Sequence, residues 1–170
     1  MSFHRQCQIA SRKWIAASAA LLTTAAFAVP GHATPATGFA AVQTIKGQYG
    51  DIEANAKTNI FDLKLKTKGD SDLYVVRNSI APGGQSGWHT HPGPSLITVT
   101  AGEIMAYDGE NPLCTPTRYT VGQGFVDPGG GDVHLLRNET AVAAETVAVQ
   151  FIARDAVRRI DADKPTNCNF

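Results

Sequence analysis

Short runs of alternating apolar and polar residues, each closed by a glycine or proline turn, leave this chain little room for long helices. Phe61, Leu63 and Leu65 alternate with Asp62, Lys64 and Lys66, and β-like runs follow at 73–80, 96–100, 104–107, 118–121, 125–127, 133–137 and 147–152. Between them stand Pro82-Gly83-Gly84, Pro92-Gly93-Pro94, Ala101-Gly102, Asp108-Gly109, Asn111-Pro112 and Pro128-Gly129-Gly130-Gly131. No helical periodicity of similar strength competes. Many short strands without βαβ alternation predict an all-β fold, a closed barrel or a jelly roll, over residues 59–155. Residues 34–58, small and Pro-containing, read as an irregular N-terminal arm, and 156–170 as a C-terminal tail.

The first 33 residues read as an address. Trp14 to Val29 form an apolar run behind Arg12 and Lys13, followed by small residues and a proline, the three-part pattern of a secretory signal peptide. A single membrane anchor is the competing reading. The run is Ala-rich and shorter than the roughly 20 residues a bilayer core requires, which favours cleavage and leaves no stable membrane span afterwards. Both Ala28 and Ala33 satisfy the small-x-small rule for the cut, and Ala33 is preferred. Export predicts a secreted or periplasmic protein. The leader holds three of the 15 basic residues and no acidic one, so removing it leaves 12 basic against 15 acidic residues, a net charge of −3. A mildly acidic chain without clustered Lys or Arg is no match for nucleic acid.

Cleavage also removes Cys7 and leaves Cys114 and Cys168. Two cysteines in an oxidising compartment make one candidate disulfide, with two buried free thiols as the alternative. Neither lies in a CxxC spacing, so redox catalysis and a Cys-based zinc site lack support.

Once His4 and His32 are lost with the leader, three histidines remain: His89, His91 and His134. Residues two apart on a strand share a face. His89 and His91 therefore present two imidazoles side by side, and a neighbouring strand can bring His134 opposite them. The spacing Gly83-x5-His89-x-His91-x3-Ser95-x6-Gly102, followed by Gly122-x5-Pro128-x-Gly130-x3-His134-x3-Asn138, resembles the two signature motifs of the cupin superfamily, G-x5-H-x-H-x3,4-E-x6-G and G-x5-P-x-G-x2-H-x3-N. The second motif carries one extra residue before His134. The stretch GWHTHPGPSLITVTAGEIMAYDG is similar to that of small, exported bacterial single-domain cupins. The resemblance implies a cupin-type β-barrel, the double-stranded β-helix or jelly roll, holding a divalent metal ion (Zn, Fe, Mn, Ni or Cu) on His89, His91 and His134. It also implies a small-molecule ligand or substrate and pairing into a homodimer.

One position departs from the pattern. Ser95 stands where most metal-binding cupins carry Glu, and Leu96 fills the alternative spacing. A serine hydroxyl is a poor ligand for a divalent first-row ion, so Ser95 is expected to hydrogen-bond a metal-bound water instead. Three neutral imidazoles with open positions are still a sound site. Asp127, Asp132 and Tyr107 are assigned surface or turn roles by default, Glu103 a solvated turn, and Trp88 a packing role at the barrel rim. Pro128 to Gly131 lacks the Lys-Ser/Thr of a phosphate loop, and Trp88 stands where a nucleophile elbow needs its last glycine. Asn138-Glu139-Thr140 fits the glycosylation triplet, but Asn138 already belongs to the motif. The function expected is an exported metal-binding protein acting on a small organic molecule; a non-catalytic module holding a metal or small ligand is the alternative. No catalytic residue is assigned from sequence, because the fold hosts too many activities.

Overall fold

The computed structural model describes residues 33–170. The leader, with both of its cut sites' upstream residues, therefore lies outside the described residues except for Ala33. Twelve strands and no helix are formed among the described residues, and no helix there is long and apolar enough to cross a membrane. The strands are β1 (Thr37–Tyr49), β2 (Glu53–Lys57), β3 (Asp62–Lys66), β4 (Ser71–Gln85), β5 (His89–Thr90), β6 (Ser95–Ala101), β7 (Glu103–Asp108), β8 (Thr117–Thr120), β9 (Gly124–Asp127), β10 (His134–Arg137), β11 (Ala144–Ala153) and β12 (Ile160–Asp161). Ten join one antiparallel sheet in the order β12-β5-β10-β4-β11-β6-β9, with β1 added on β4 and the β7–β8 pair added on β10. This nearly closed antiparallel barrel is the all-β fold that the turn spacing predicts. The hairpin β2–β3 is a separate two-stranded sheet. Its apolar positions Phe61 and Leu63 are about half exposed, so the clearest alternation in the sequence does not face the core.

β4 is the spine. It pairs with β1 from Gln85 to Ser71 on one side and with β11 from Ile80 to Ser71 on the other. The stretch 34–58, expected to be irregular, is instead largely strand, and β1 is a correction to the sequence reading. Nearly every residue of β1 is exposed on both faces, so backbone pairing and the Lys46–Asp72 ion pair at 2.7 Å hold it rather than burial. Apart from Phe39, which packs partly buried against the core, it buries little, and so it carries no alternation to read. The segment read as a tail is also stitched in, because β12 pairs with β5 and Ala162 N donates to the Trp88 carbonyl.

Two apolar clusters flank β10. Ile80, Val99, Ile104, Leu136 and Ala144 fill one end of the barrel interior. Trp88, Tyr107, Leu135 and Cys168 form the other. Successive residues of a strand face opposite ways, so His134 and Leu136 look into the barrel while Leu135 looks out, and all three are buried. The C-terminal segment covers the outer face: Phe170 stacks on Trp88 with ring centroids 6.4 Å apart, and Cys168 forms a disulfide with Cys114, their Cα atoms 5.3 Å apart, an ordinary span for that bond.

Candidate metal centre

The backbone brings the three histidines together by register. His89 of β5 lies directly opposite His134 of β10, and His91 follows two residues later on the same face. Glycines allow the two motif loops to cross. Gly129 has φ +66°, and a Cβ there would run into the Gly93 carbonyl; beside this crossing, Gly130 N donates to the His91 carbonyl at 2.7 Å. Gly87, at φ +70°, is packed so closely on Thr34 that a side chain has no room, and its carbonyl orients the first imidazole.

His89 Nδ1–H donates to the Gly87 carbonyl at 2.8 Å, and His91 Nδ1–H donates to the Arg158 carbonyl at 2.6 Å. A carbonyl only accepts, so each bond places the proton on Nδ1 and leaves the Nε2 lone pair free. The ring centroids are 4.9 Å apart for His89–His91, 4.3 Å for His89–His134 and 5.4 Å for His91–His134. One nitrogen from each ring lies within 4.8 Å of the others, and all three residues are more than nine-tenths buried. Burial foremost, then the charges of His134 and Arg159, pushes the His89 pKa down to about 2. Burial pushes His91 down to about 4, against the opposing pull of its bond to the Arg158 carbonyl. Both rings are thus neutral at ordinary pH, the state in which imidazole ligates. The group is positioned for a metal ion.

The histidines line a cavity of about 200 Å³. Ser95 lines it too, buried at 2% exposure, and its hydroxyl accepts from Gln150 Nε2 at 3.2 Å. Gln150 Oε1, also buried, has no partner. Val76, Ile97, Leu136 and Ala148 form apolar wall, and Arg158 and Arg159 come from the segment before β12. Arg159 is committed to the Ser86 carbonyl and to Asp161, each at 2.7 Å. Arg158 is half-buried along the wall, where burial and the Arg159 charge lower its pKa.

Asp127 is the main correction. Expected at a surface or turn, it is 3% exposed. Its Oδ1 accepts from Gly129 N at 2.8 Å and lies 3.6 Å from His134 Nδ1; its Oδ2 lies 3.8 Å from His91 Nε2. Both Asp127 Oδ2 and His134 Nδ1 lack a hydrogen-bond partner. Asp132, half-buried, adds an oxygen within 4.8 Å of Asp127 and His134, and burial, then the Asp108 charge, raises its pKa. Asp127 shares its strand face with Phe125, and Gln150 shares its own with Thr146 and Ile152. A polar residue at an inward position of an apolar strand is the signal by which both were readable. Arg158 and Arg159 gave no such signal, since nothing in the sequence places 156–170 against the barrel.

The remaining candidates face elsewhere. Tyr107, also read as a surface residue, is buried on the outer face, and its hydroxyl donates to Glu139 Oε1 at 2.5 Å. Burial, with that bond, pushes its pKa up to about 12. Glu103 is ion-paired with Arg118. Trp88 is 1% exposed beneath the C-terminal segment. Asn138 is wholly buried: its Nδ2 donates to the carbonyls of Ile80, Ala81 and Val142 at 3.1, 3.2 and 2.7 Å, and its Oδ1 accepts from Thr140 N and Oγ1 at 3.0 and 2.8 Å. It locks the β10–β11 turn onto β4.

No curated protein matches the sequence significantly. Among solved structures, the fold is similar to an uncharacterized conserved protein with a double-stranded beta-helix domain from Klebsiella pneumoniae subsp. pneumoniae, at 22% identity over 68% of this chain and 86% of that one, TM-score 0.47. It is also similar to Peruvianin-I, a cysteine peptidase from Thevetia peruviana latex, at 28% identity over 46% and 49% of the two chains, TM-score 0.41. The polyketide cyclase RemF from Streptomyces resistomycificus matches at 16% identity over 56% and 65%, TM-score 0.45. Residues 76–150, which run from β4 to β11 and hold all three histidines, match the family described as Cupin domain, and this stretch of the chain is a cupin domain.

Proposed function

We propose that this is an exported cupin that holds one divalent first-row metal ion on His89, His91 and His134 and uses the site on a small organic acid. The observation that carries the reading is the pair of imidazoles whose Nδ1 atoms are tied to carbonyls, which leaves both Nε2 lone pairs free beside a third buried imidazole, that of His134. The orphaned polar atoms beside the histidines, His134 Nδ1, Asp127 Oδ2 and Gln150 Oε1, fit the donor set of such a site. When bound, the ion supplies Lewis acidity and a polarised water. The chain's own groups do the rest. Ser95 and Gln150 offer a hydroxyl and an amide to orient a bound oxygen, the apolar wall excludes bulk water, and Arg158 favours a carboxylate on the guest. The cavity volume limits that guest to a small molecule. Export is supported by the leader and by the Cys114–Cys168 disulfide, a bond that persists in oxidising compartments.

Elemental analysis of protein purified from its native compartment tests the reading. About one equivalent of a first-row metal is expected, with nearly complete loss in the His89→Ala/His91→Ala/His134→Ala variant. Equal metal content in that variant and the wild type refutes the site.

A further inference from the structure

We propose that Asp127 supplies the carboxylate ligand that position 95 lacks, so that the centre is three histidines and one aspartate drawn from the second motif. The inference rests on the three-histidine reading and deepens it. Ser95 and Asp127 are cross-strand partners in the β6–β9 register, and both side chains are buried, at 2% and 3% exposure. The carboxylate has therefore moved by one interstrand spacing, roughly 4.8 Å, and stays on the same inner face.

The two oxygens of Asp127 have different employment. Oδ1 accepts from Gly129 N at 2.8 Å and so closes the turn before His134. A role limited to that turn explains Oδ1 alone. Oδ2 is buried, has no hydrogen-bond partner and lies 3.8 Å from His91 Nε2, the nitrogen left free by the Arg158 carbonyl. Ligands about 2.1 Å from a shared ion are separated by roughly 3 to 4 Å, so this spacing suits Asp127 and His91 as two donors of one ion; as placed, the carboxylate groups with Asp132 and His134, and to complete the centre Oδ2 has to turn toward the three histidine nitrogens. A buried carboxylate needs a counter-charge. Among the described residues the ionisable nitrogens within 4.0 Å of Asp127 are those of His91 and His134, both metal-facing residues.

Asp127→Asn is the informative substitution, because its amide oxygen still accepts from Gly129 N while the charge and the free oxygen go. The demetallated exported protein is titrated with Mn²⁺ and, separately, with Co²⁺, whose visible ligand-field bands report the donor set. The variant is expected to bind Mn²⁺ at least tenfold more weakly and to shift the Co²⁺ bands. Adding Ser95→Glu to Asp127→Asn restores a carboxylate from across the strand pair and is expected to recover Mn²⁺ affinity to within a few-fold of wild type. Unchanged Mn²⁺ affinity in Asp127→Asn overturns the inference. So does weakened binding with an unchanged Co²⁺ spectrum, which assigns Asp127 to orienting His134. A wild-type protein that takes up neither ion overturns the metal reading itself, and this inference with it. Should Asp127→Asn fail to fold, the wild type decides: on adding Zn²⁺ one aspartate ¹³C-carboxylate resonance is expected to shift, and none shifting overturns the inference.

Discussion

Asn138 offers a sharp test of how the barrel is held, because two substitutions of opposite conservatism are expected to rank against intuition. Alanine removes five hydrogen bonds, three donated to carbonyls and two accepted from Thr140. At about 1 kcal/mol net for each bond the sum is about 5 kcal/mol. Only the bond to Ile80 is fully buried, so water replaces part of the rest, and about 2–4 kcal/mol is the expected cost. Aspartate keeps the two accepting bonds and nearly the same shape, yet it turns a carboxylate toward three carbonyl oxygens that the amide met at 2.7–3.2 Å. A buried charge facing acceptors is worse than a missing side chain. Asn138→Asp should therefore lose more than Asn138→Ala at pH 7. The sign with pH follows from linkage: the carboxyl at 138 is raised in the folded state, so its penalty is absent below the unfolded pKa of about 4 and grows as pH rises through the window above it. Urea unfolding with the disulfide intact measures both variants. If aspartate is tolerated as well as alanine at pH 7, or if its deficit does not shrink toward pH 4, the hydrogen-bond account of this residue is wrong.

Three further outcomes are expected. Reducing the Cys114–Cys168 disulfide, which spans 54 residues, should cost about 4 kcal/mol in the chain-entropy account, and should red-shift Trp88 fluorescence as the C-terminal segment lifts; an unchanged urea midpoint and spectrum would sink this. In demetallated protein His89 and His91 have folded pKa values pushed down to about 2 and about 4, so the unfolded chain binds more protons below its own pKa of about 6.5. Stability should fall as pH drops from 7 to 5, by roughly 2 kcal/mol for each histidine, and His89→Gln/His91→Gln should lose that dependence; parallel pH profiles for the two proteins would contradict it. Arg158→Ala should weaken binding of small carboxylates about tenfold while leaving metal stoichiometry unchanged. Calorimetry with a panel of mono- and dicarboxylates checks this, and equal affinities would remove Arg158 from the site.

What could be read from the chain alone is what strand periodicity and motif spacing encode locally. Alternation and turns placed most of the barrel strands, with edges shifted by a few residues, because the inward face of a half-buried strand must be apolar. The same rule put His89 and His91 on one side, and the spacing to Asn138 brought His134 into the group. Ser95 was recognisable as a missing carboxylate only through the resemblance to the cupin motif. Local pattern does not encode which strand lies beside which. The pairing of Ser95 with Asp127 exists only in the β6–β9 register, so a residue that looked like a turn aspartate became a buried neighbour of two imidazoles. β1 was invisible because, Phe39 apart, it is exposed and held mainly by backbone bonds, which leave no side-chain signature. The segment before β12 was equally mute: it reaches the site through the Arg158 carbonyl and two guanidinium groups, contacts made across the barrel by residues 67 positions apart in sequence. Side-chain direction is a property of a few consecutive residues and is written in them. The company a side chain keeps is set by long-range closure of the barrel, and only the folded chain decides it.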